Sequence, residues 1–182
     1  SYYDMFPDYF SDLQYNIPDK FDADFRPIGQ GNGIPDIIDE AEWGTMIFEI
    51  LQQENGGVHS GTERTGYPSD DVGLDEDTDQ YATLEVRDNS TAMAAGLFAH
   101  LARLLRPYHM ERSVELQERA ERAWAFAGDS ASIPHKFYYY IQYYLLTGDQ
   151  NIHKKLINLA PEISAYETSH QDNPRRIPRG NI

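Results

Sequence analysis

Cysteine is absent from the 182 residues. That excludes a disulfide framework and any thiolate metal site, and it leaves the redox compartment unreadable. Positive charge is scarce: 15 lysines and arginines stand against 30 aspartates and glutamates, for a formal net charge of −15. Such a surface repels phosphate backbones and anionic lipid, so neither nucleic acid nor membrane is an expected partner. Long apolar runs are missing too, since nothing approaches the roughly 18 residues a membrane-spanning helix needs. No stretch alternates apolar and polar residues for the length of a strand, which removes sheet as an organising element. The histidines at 59, 100, 109, 135, 153 and 170 show no HExxH or similar spacing, so nothing supports a zinc hydrolase. Ser60 lies beside His59 but lacks the elbow context of a triad nucleophile.

What is present is helix. Aromatic residues make up 13% of the chain, with 13 tyrosines; aromatic faces stack on sugar rings, but tyrosine-rich helices more often pack a core. The chain is long enough for one core or one lobe of a larger domain. Residues 1–9 read as a helix end broken by Pro7, and 10–33, with Pro18, Pro27, Gly29, Gly31 and Gly33, as a loop. Pro35 opens a helix over 35–52. Ile37, Ile38, Ala41, Phe48 and Leu51 line one face and Trp43, Met46, Ile47 and Ile50 the other, so burial on most sides is expected. Gly56-Gly57 ends it, and a second irregular stretch follows to residue 88.

Asp88, Asn89 and Ser90 offer N-caps for an alanine-rich interior helix over 90–106, stopped by Pro107. The next helix, 111–127, has one apolar stripe (Val114, Leu116, Ala120, Ala123, Trp124, Ala127) and the i,i+4 pairs Glu115–Arg119 and Glu118–Arg122, which place it outside. A tyrosine-rich helix spans 134–146 and a short one about 151–159; the residues from 161 to 182 read as an extended tail. Buried and amphipathic helices alternating across long loops fit an all-α toroid better than a plain bundle.

Several stretches resemble the family 9 glycoside hydrolases. Tyr2-Tyr-Asp-Met-Phe-Pro-Asp-Tyr-Phe10 is similar to the family's AYELFPDRF; Asn16-Ile-Pro18 with Gly31-Asn-Gly-Ile-Pro-Asp-Ile-Ile-Asp-Glu40 resembles NIPESGNGIPDLLDE. Trp43 and Gln52 stand where members carry tryptophan and glutamine. Gly56-Gly-Val-His59 is similar to GGVYHKV, Ser90-Thr-Ala-Met-Ala-Ala95 with Ala102-Arg103 to STAATAxFAA…AAR, and Leu146-Thr-Gly-Asp149 to LTGD. Order and rough spacing agree over about residues 1–160.

The resemblance implies part of an (α/α)6 barrel, the six-hairpin glycosidase toroid, over 1–160, with 161–182 leading to a further C-terminal part. It implies an inverting, cellulase-like enzyme acting on β-1,4-glucan or a related β-glycan, secreted or periplasmic because its substrate is a polymer. The family's catalytic base belongs to a D-A-G-D motif expected upstream of Tyr3, and its acid is a glutamate far toward the C-terminus. Neither motif occurs in these residues, so the expectation is a segment that is inactive alone, with no catalytic residue of its own. Exposed barrel helices would then invite self-association. The competing reading is a non-catalytic carbohydrate-binding or interaction module on a degenerate α/α barrel; a D-A-G-D motif in the preceding gene sequence would discriminate.

His59 and Tyr67 fall where the family lines part of its cleft, and they are the candidate substrate-binding residues, each equally readable as a loop brace. Asp36, Asp39 and Glu40 resemble acid/base residues, but in a first helical turn they complement the helix dipole and brace the preceding loop. Asp75, Asp77 and Asp79 have the alternate spacing that starts an EF-hand, yet Gln80 replaces the turn glycine and Val86 the bidentate glutamate. A solvated acidic loop over 70–79 is the expectation. No cofactor is required; calcium stays open because family members often bind it. Arg175, Arg176 and Arg179 read as a solvated extension.

Overall fold

The Asn-Gly-Ile-Pro run at 32–35 shows how the first long helix is set. The structure, a computed structural model, describes residues 1–11, 20–21, 27–28, 32–66, 78, 80–128 and 130–171. Asn32 accepts the Ile34 amide at 2.9 Å and donates its own amide to Asp39 at 3.1 Å. Gly33 turns the chain at φ +85°, a backbone region open to glycine. Pro35 is the N-cap of α3, Asp36–Ile50. It is fully buried with Ile38. Asp39 thus braces the preceding loop, the structural role expected of it.

Helices α1 (Tyr2–Met5) and α2 (Pro7–Ser11) precede α3, with a two-residue antiparallel pair between them and it, β1 (Lys20–Phe21) and β2 (Pro27–Ile28). A second antiparallel pair, β3 (Thr62–Arg64) and β4 (Tyr81–Thr83), lies between α3 and α4 (Asp88–Leu105). Helices α5 (Met110–Ala127), α6 (Ile133–Thr147) and α7 (Gln150–Gln171) complete the order. No sheet of three strands occurs among the described residues. The chain is all-α, as expected.

Helix α4 is the interior member, packed against α3, α5 and α6. Ala94, Ala95, Phe98, Ala99, Ala102 and Leu105 are buried, and their small size lets neighbours close in. Ser113 of α5 donates to the Ala102 carbonyl at 2.7 Å. A Cβ on Gly96 would stand 2.4 Å from the Tyr138 ring. Asn89 does not cap α4, which starts from Arg87 without a side-chain cap. Asn89 instead accepts the Ser132 amide at 2.8 Å, ahead of α6.

Helix α5 buries Ser113, Leu116, Ala120, Ala123 and Ala127, and Glu115 pairs with Arg119 at 3.6 Å on the side facing α3, where Arg119 also meets Glu49, rather than on a free wet face. Val114, expected in the stripe, is instead 48% exposed. The i, i+3, i+7 rhythm runs through Ser113, one position over. Trp124 stacks on Tyr139 of α6 with centroids 4.0 Å apart and planes at 6°, so the tyrosines here are packing residues.

Two expectations are corrected. Helix α3 is not buried on most sides: only Ile38 and Thr45 are buried within it, and Trp43 and Ile50 are 75% and 76% exposed. Its second apolar face is largely exposed, with Met46 and Ile50 on the edge of a groove shared with Arg112 and Arg119 of α5. Nor does an extended tail begin at 161, since α7 runs on through Pro161 to Gln171. Ile152, Leu156, Leu159, Ile163 and Tyr166 keep a helical stripe buried or half-buried across the proline. That packing outweighs the one hydrogen bond proline removes.

Candidate functional site

The loop that leaves α3 and returns to α4 is built from its glycines. Gly56 has φ +94°, and a Cβ there would lie 2.1 Å from the Arg122 carbonyl oxygen of α5. A Cβ on Gly57 would meet Val86 at 2.9 Å and Phe126 at 3.1 Å. Only a bare backbone fits under α5 here. Val58, fully buried, donates its amide to Thr91 Oγ1 of α4 at 2.9 Å. Gln52 and Val58, then His59 and Val86, form single antiparallel bridges. Through these the β3–β4 pair is rooted on the ends of α3 and α4.

His59 sits half-buried at this root. Its Nδ1 lies 2.5 Å from the Leu84 carbonyl oxygen and its Nε2 3.1 Å from the Gln53 side-chain nitrogen. A carbonyl only accepts, so Nδ1 carries the proton; Nε2 of the neutral ring then accepts from the Gln53 amide. Both ring nitrogens are therefore engaged in bracing the loop, and the ring face is what is left to meet a ligand. Tyr67 and the acidic stretch 70–77 with Asp79 lie outside the described residues, and with them the Tyr67 and calcium expectations. Among the described residues, no group of three or more metal-ligating side chains is close enough to hold an ion.

Sequence reasoning missed Tyr81, which stands 68% exposed on β4 opposite Arg64. It is an aromatic face on the same hairpin as His59. The strands are too short to alternate legibly, so no sequence signal marked it.

A second concavity lies between α3 and α5, an open groove of about 450 Å3 lined by Glu42, Met46, Glu49, Ile50, Arg112 and Arg119. Arg112 Nε holds Glu42 at 2.6 Å and its Nη1 holds Glu115 at 2.8 Å, while Nη2 pairs with Glu49. Arg119 Nε approaches Glu49 at 3.2 Å. Burial works against the charge on Arg112, but the hydrogen bonds it donates to Glu49, Glu42 and Glu115 outweigh that and hold the guanidinium protonated, and Arg112 in turn holds the Glu115 carboxyl below its usual range. One guanidinium clamping three carboxylates is a brace. An inverting pair instead needs two carboxyls about 6.5–9.5 Å apart around a water. Gln52 donates to the Arg119 carbonyl at 3.0 Å, linking the groove to the root of the His59 loop.

Four further histidines, His100, His109, His135 and His153, are packed or bonded within the scaffold. His109 caps α5 by accepting the Arg112 amide at 3.2 Å, and His153 stacks on Tyr144 at 4.6 Å. His135 lies 2.5 Å from Ser132 Oγ. His100 is enclosed by Asp4, Arg103 and Tyr138; burial first, then the Arg103 charge, lowers its pKa to about 4. Arg103 grips Asp4 at 2.6 and 2.8 Å.

The chain superimposes over most of its length on solved structures. A metagenome-derived glycoside hydrolase family 9 endoglucanase matches 88% of this chain with TM-score 0.69 at 23% identity. A Bacteroides ovatus GH9 protein matches 87% with TM-score 0.71 at 21% identity. The fold is that of the family 9 endoglucanases. A third such structure, GH family 9 endoglucanase J30, matches 86% with TM-score 0.70 at 18% identity. The chain spans 31–32% of the length of these endoglucanase-fold structures. No sequence-family profile and no curated protein sequence matches it. The helical hairpins described above are thus part of an α/α barrel, with α4 interior and α5 exterior.

Proposed function

We propose that this chain is a segment of an inverting β-glycan hydrolase of the cellulase kind, forming barrel core and part of the cleft wall. The observation that carries the reading is the superposition of 88% of the chain on a family 9 endoglucanase. The family-like motifs at Asn32–Pro35, Gly56–Val58 and Ser90–Ala95 support it, because each occupies a contact on which the barrel packing depends. The general acid and base lie outside these 182 residues. In the whole enzyme they would act in one step, the acid protonating the leaving oxygen while the base activates water on the opposite face.

The part played by this chain is binding. The hairpin presents Tyr81 and the ring face of His59 to a sugar ring, a contact of stacking type. The partner is a β-glucan or oligosaccharide, with neither nucleic acid nor membrane as a partner; no helix among the described residues is long and apolar enough to cross a membrane. Secretion follows from a polymeric substrate.

The experiment pairs turnover with binding. Purified chain is expected to release no reducing sugar from cellotetraose, yet to show cellotetraose-dependent NMR shift changes confined to the His59–Tyr81 hairpin. Turnover by the chain alone would overturn the location of the acid and base. Shift changes absent from the hairpin would overturn its place in the cleft wall.

A further inference from the structure

The aromatic rings between α5 and α6 form a ladder whose two branches end differently. Trp124 lies face to face with Tyr139, and Tyr139 stacks in turn on Tyr143 with centroids 5.2 Å apart and planes at 27°. At the end of this branch the Tyr143 hydroxyl donates to Glu121 at 2.7 Å, and Glu121 is exposed. On the other branch Tyr140 meets Trp124 edge-on at 5.0 Å, and the Lys155 ammonium stands over the Tyr140 ring at 5.8 Å. A cation over a ring opposes removal of an electron from it. A carboxylate on a phenol does the reverse, because it receives the proton that must leave when the phenol is oxidised. Burial pushes the Tyr139 phenol up, so Tyr139 keeps its proton and serves as a bridge.

Trp124 is also a place where oxidation would do damage. A Cβ on Gly128 would stand 2.8 Å from Trp124 Cε2 and 3.0 Å from its Nε1. The Gly128 backbone thus lies close against the indole and leaves little space for a larger, oxygenated ring. The same indole packs on Ala92 and Ala127, where the start of α4 meets the end of α5.

We propose that Trp124, Tyr139 and Tyr143 form a one-electron relay that carries oxidising equivalents out of the α5–α6 core. A diffusing one-electron oxidant takes an electron from the half-buried Trp124 indole and is reduced, while the indole N–H proton goes to water. Tyr143 then gives up an electron through the Tyr139 ring, and its phenolic proton passes to Glu121. The indole regains its electron and takes a proton back from water, leaving Tyr143 as a neutral phenoxyl radical. At neutral pH that radical is more stable than the indolyl radical, so the transfer runs downhill. A small reductant such as ascorbate returns one hydrogen atom to the Tyr143 oxygen, and Glu121 releases its proton to solvent. The relay is independent of the glycan reading.

Pulse radiolysis with the azidyl radical, which oxidises tryptophan selectively, tests the relay in the Trp43→Phe chain. Trp43 is 75% exposed and is the other of the two tryptophans, so its replacement leaves Trp124 as the sole indole. Expected is decay of the indolyl radical absorption with matching growth of the phenoxyl band, first order and independent of protein concentration. Tyr143→Phe, which keeps the ring, should let the indolyl radical persist. Glu121→Gln, at an exposed position of α5, should slow the transfer at least about tenfold, because a placed proton acceptor contributes roughly 10²–10⁴-fold. Tyr140→Phe should leave the rate unchanged. Under steady oxidation with ascorbate present, Tyr143→Phe should accumulate the oxygenated Trp124 peptide faster than its parent, read by mass spectrometry. No phenoxyl growth, a rate that scales with protein concentration, or a rate unchanged by Tyr143→Phe or by Glu121→Gln would overturn the relay. So would loss of transfer in Tyr140→Phe, or equal accumulation of oxygenated Trp124 in Tyr143→Phe and its parent.

Discussion

Thr91 is the sharpest test of how the candidate hairpin is held. Its hydroxyl accepts the Val58 amide at 2.9 Å and lies 3.4 Å from the Val58 carbonyl oxygen. Both residues are 0% exposed, so no water replaces a lost partner. Thr91→Val keeps the shape and removes only the hydroxyl. The Val58 N–H is then buried without an acceptor, which costs about 1–3 kcal/mol. Thr91→Ser keeps the hydroxyl and removes one methyl, costing about 0.5–1.5 kcal/mol. The expected order is therefore Val worse than Ser, opposite to the order from apolar packing alone. Urea unfolding followed by far-UV circular dichroism reads both values, and an unchanged m-value certifies that the native state is compared throughout. Hydrogen exchange at Val58 should accelerate in Thr91→Val and not in Thr91→Ser. A Val variant as stable as the parent, with Ser the less stable, would refute the view that this hydrogen bond anchors the loop.

Gly56→Ala should destabilise by at least ~2 kcal/mol, combining left-handed strain with a Cβ 2.1 Å from the Arg122 carbonyl, whereas Gly148→Asn, at an unobstructed φ of +70°, should cost only a few tenths; thermal melts compare the two. Arg112→Met leaves Glu42 and Glu49 without their shared partner and should cost less than the ~3–5 kcal/mol of a fully buried pair, with Arg112→Lys restoring only part because a point charge does not span three carboxylates; denaturant midpoints decide. Unfolded His100 takes up a proton near 6.5 but the folded residue only near about 4, so stability present above pH 6.5 is lost as pH falls toward 4. His135, also lowered by burial, contributes in the same direction, so the measurement is the difference between the chain and His100→Gln: the variant's urea midpoint should fall less over that range, and parallel curves would contradict the assignment.

The helices were legible where periodicity is unopposed. Helices α4, α5 and α6 begin and end within two residues of the spans read from sequence, because alanine content, charge pairing and Pro134 each point the same way. Helix α3 was legible as a helix but not in its surroundings: apolar residues on two faces pointed to burial on most sides, whereas the described residues bury only Ile38 and Thr45 within it. Pro161 misled because proline is a local stop signal, whereas the stripe from Ile152 to Tyr166 is a tertiary one, and tertiary packing won. The hairpin escaped altogether. Its three-residue strands are fixed by the His59–Val86 bridge and the Thr91 hydroxyl, contacts between residues 27 and 33 positions apart that no local pattern encodes.

The motifs behind the family resemblance share one property in the structure: they touch other elements. Asn32 reaches Asp39, Gly56 lies under Arg122, Val58 meets Thr91, and Arg106 donates to the Leu146 carbonyl at 2.7 Å. In Leu146-Thr-Gly-Asp149, Gly148 takes the left-handed conformation that ends α6, and Asp149 then accepts the Asn151 amide at 2.8 Å to start α7. Each is a place where backbone meets backbone or a side chain satisfies a buried or terminal amide, so few residue types serve. Elsewhere an apolar residue of the right size suffices, and sequence drifts. This accounts for a chain only 18–23% identical to the solved structures that still follows their path with TM-scores of 0.69–0.71. It also separates scaffold from chemistry. The recurring residues secure the barrel, whereas an exposed position such as Tyr81, 68% accessible, is held by no packing constraint and is free to differ.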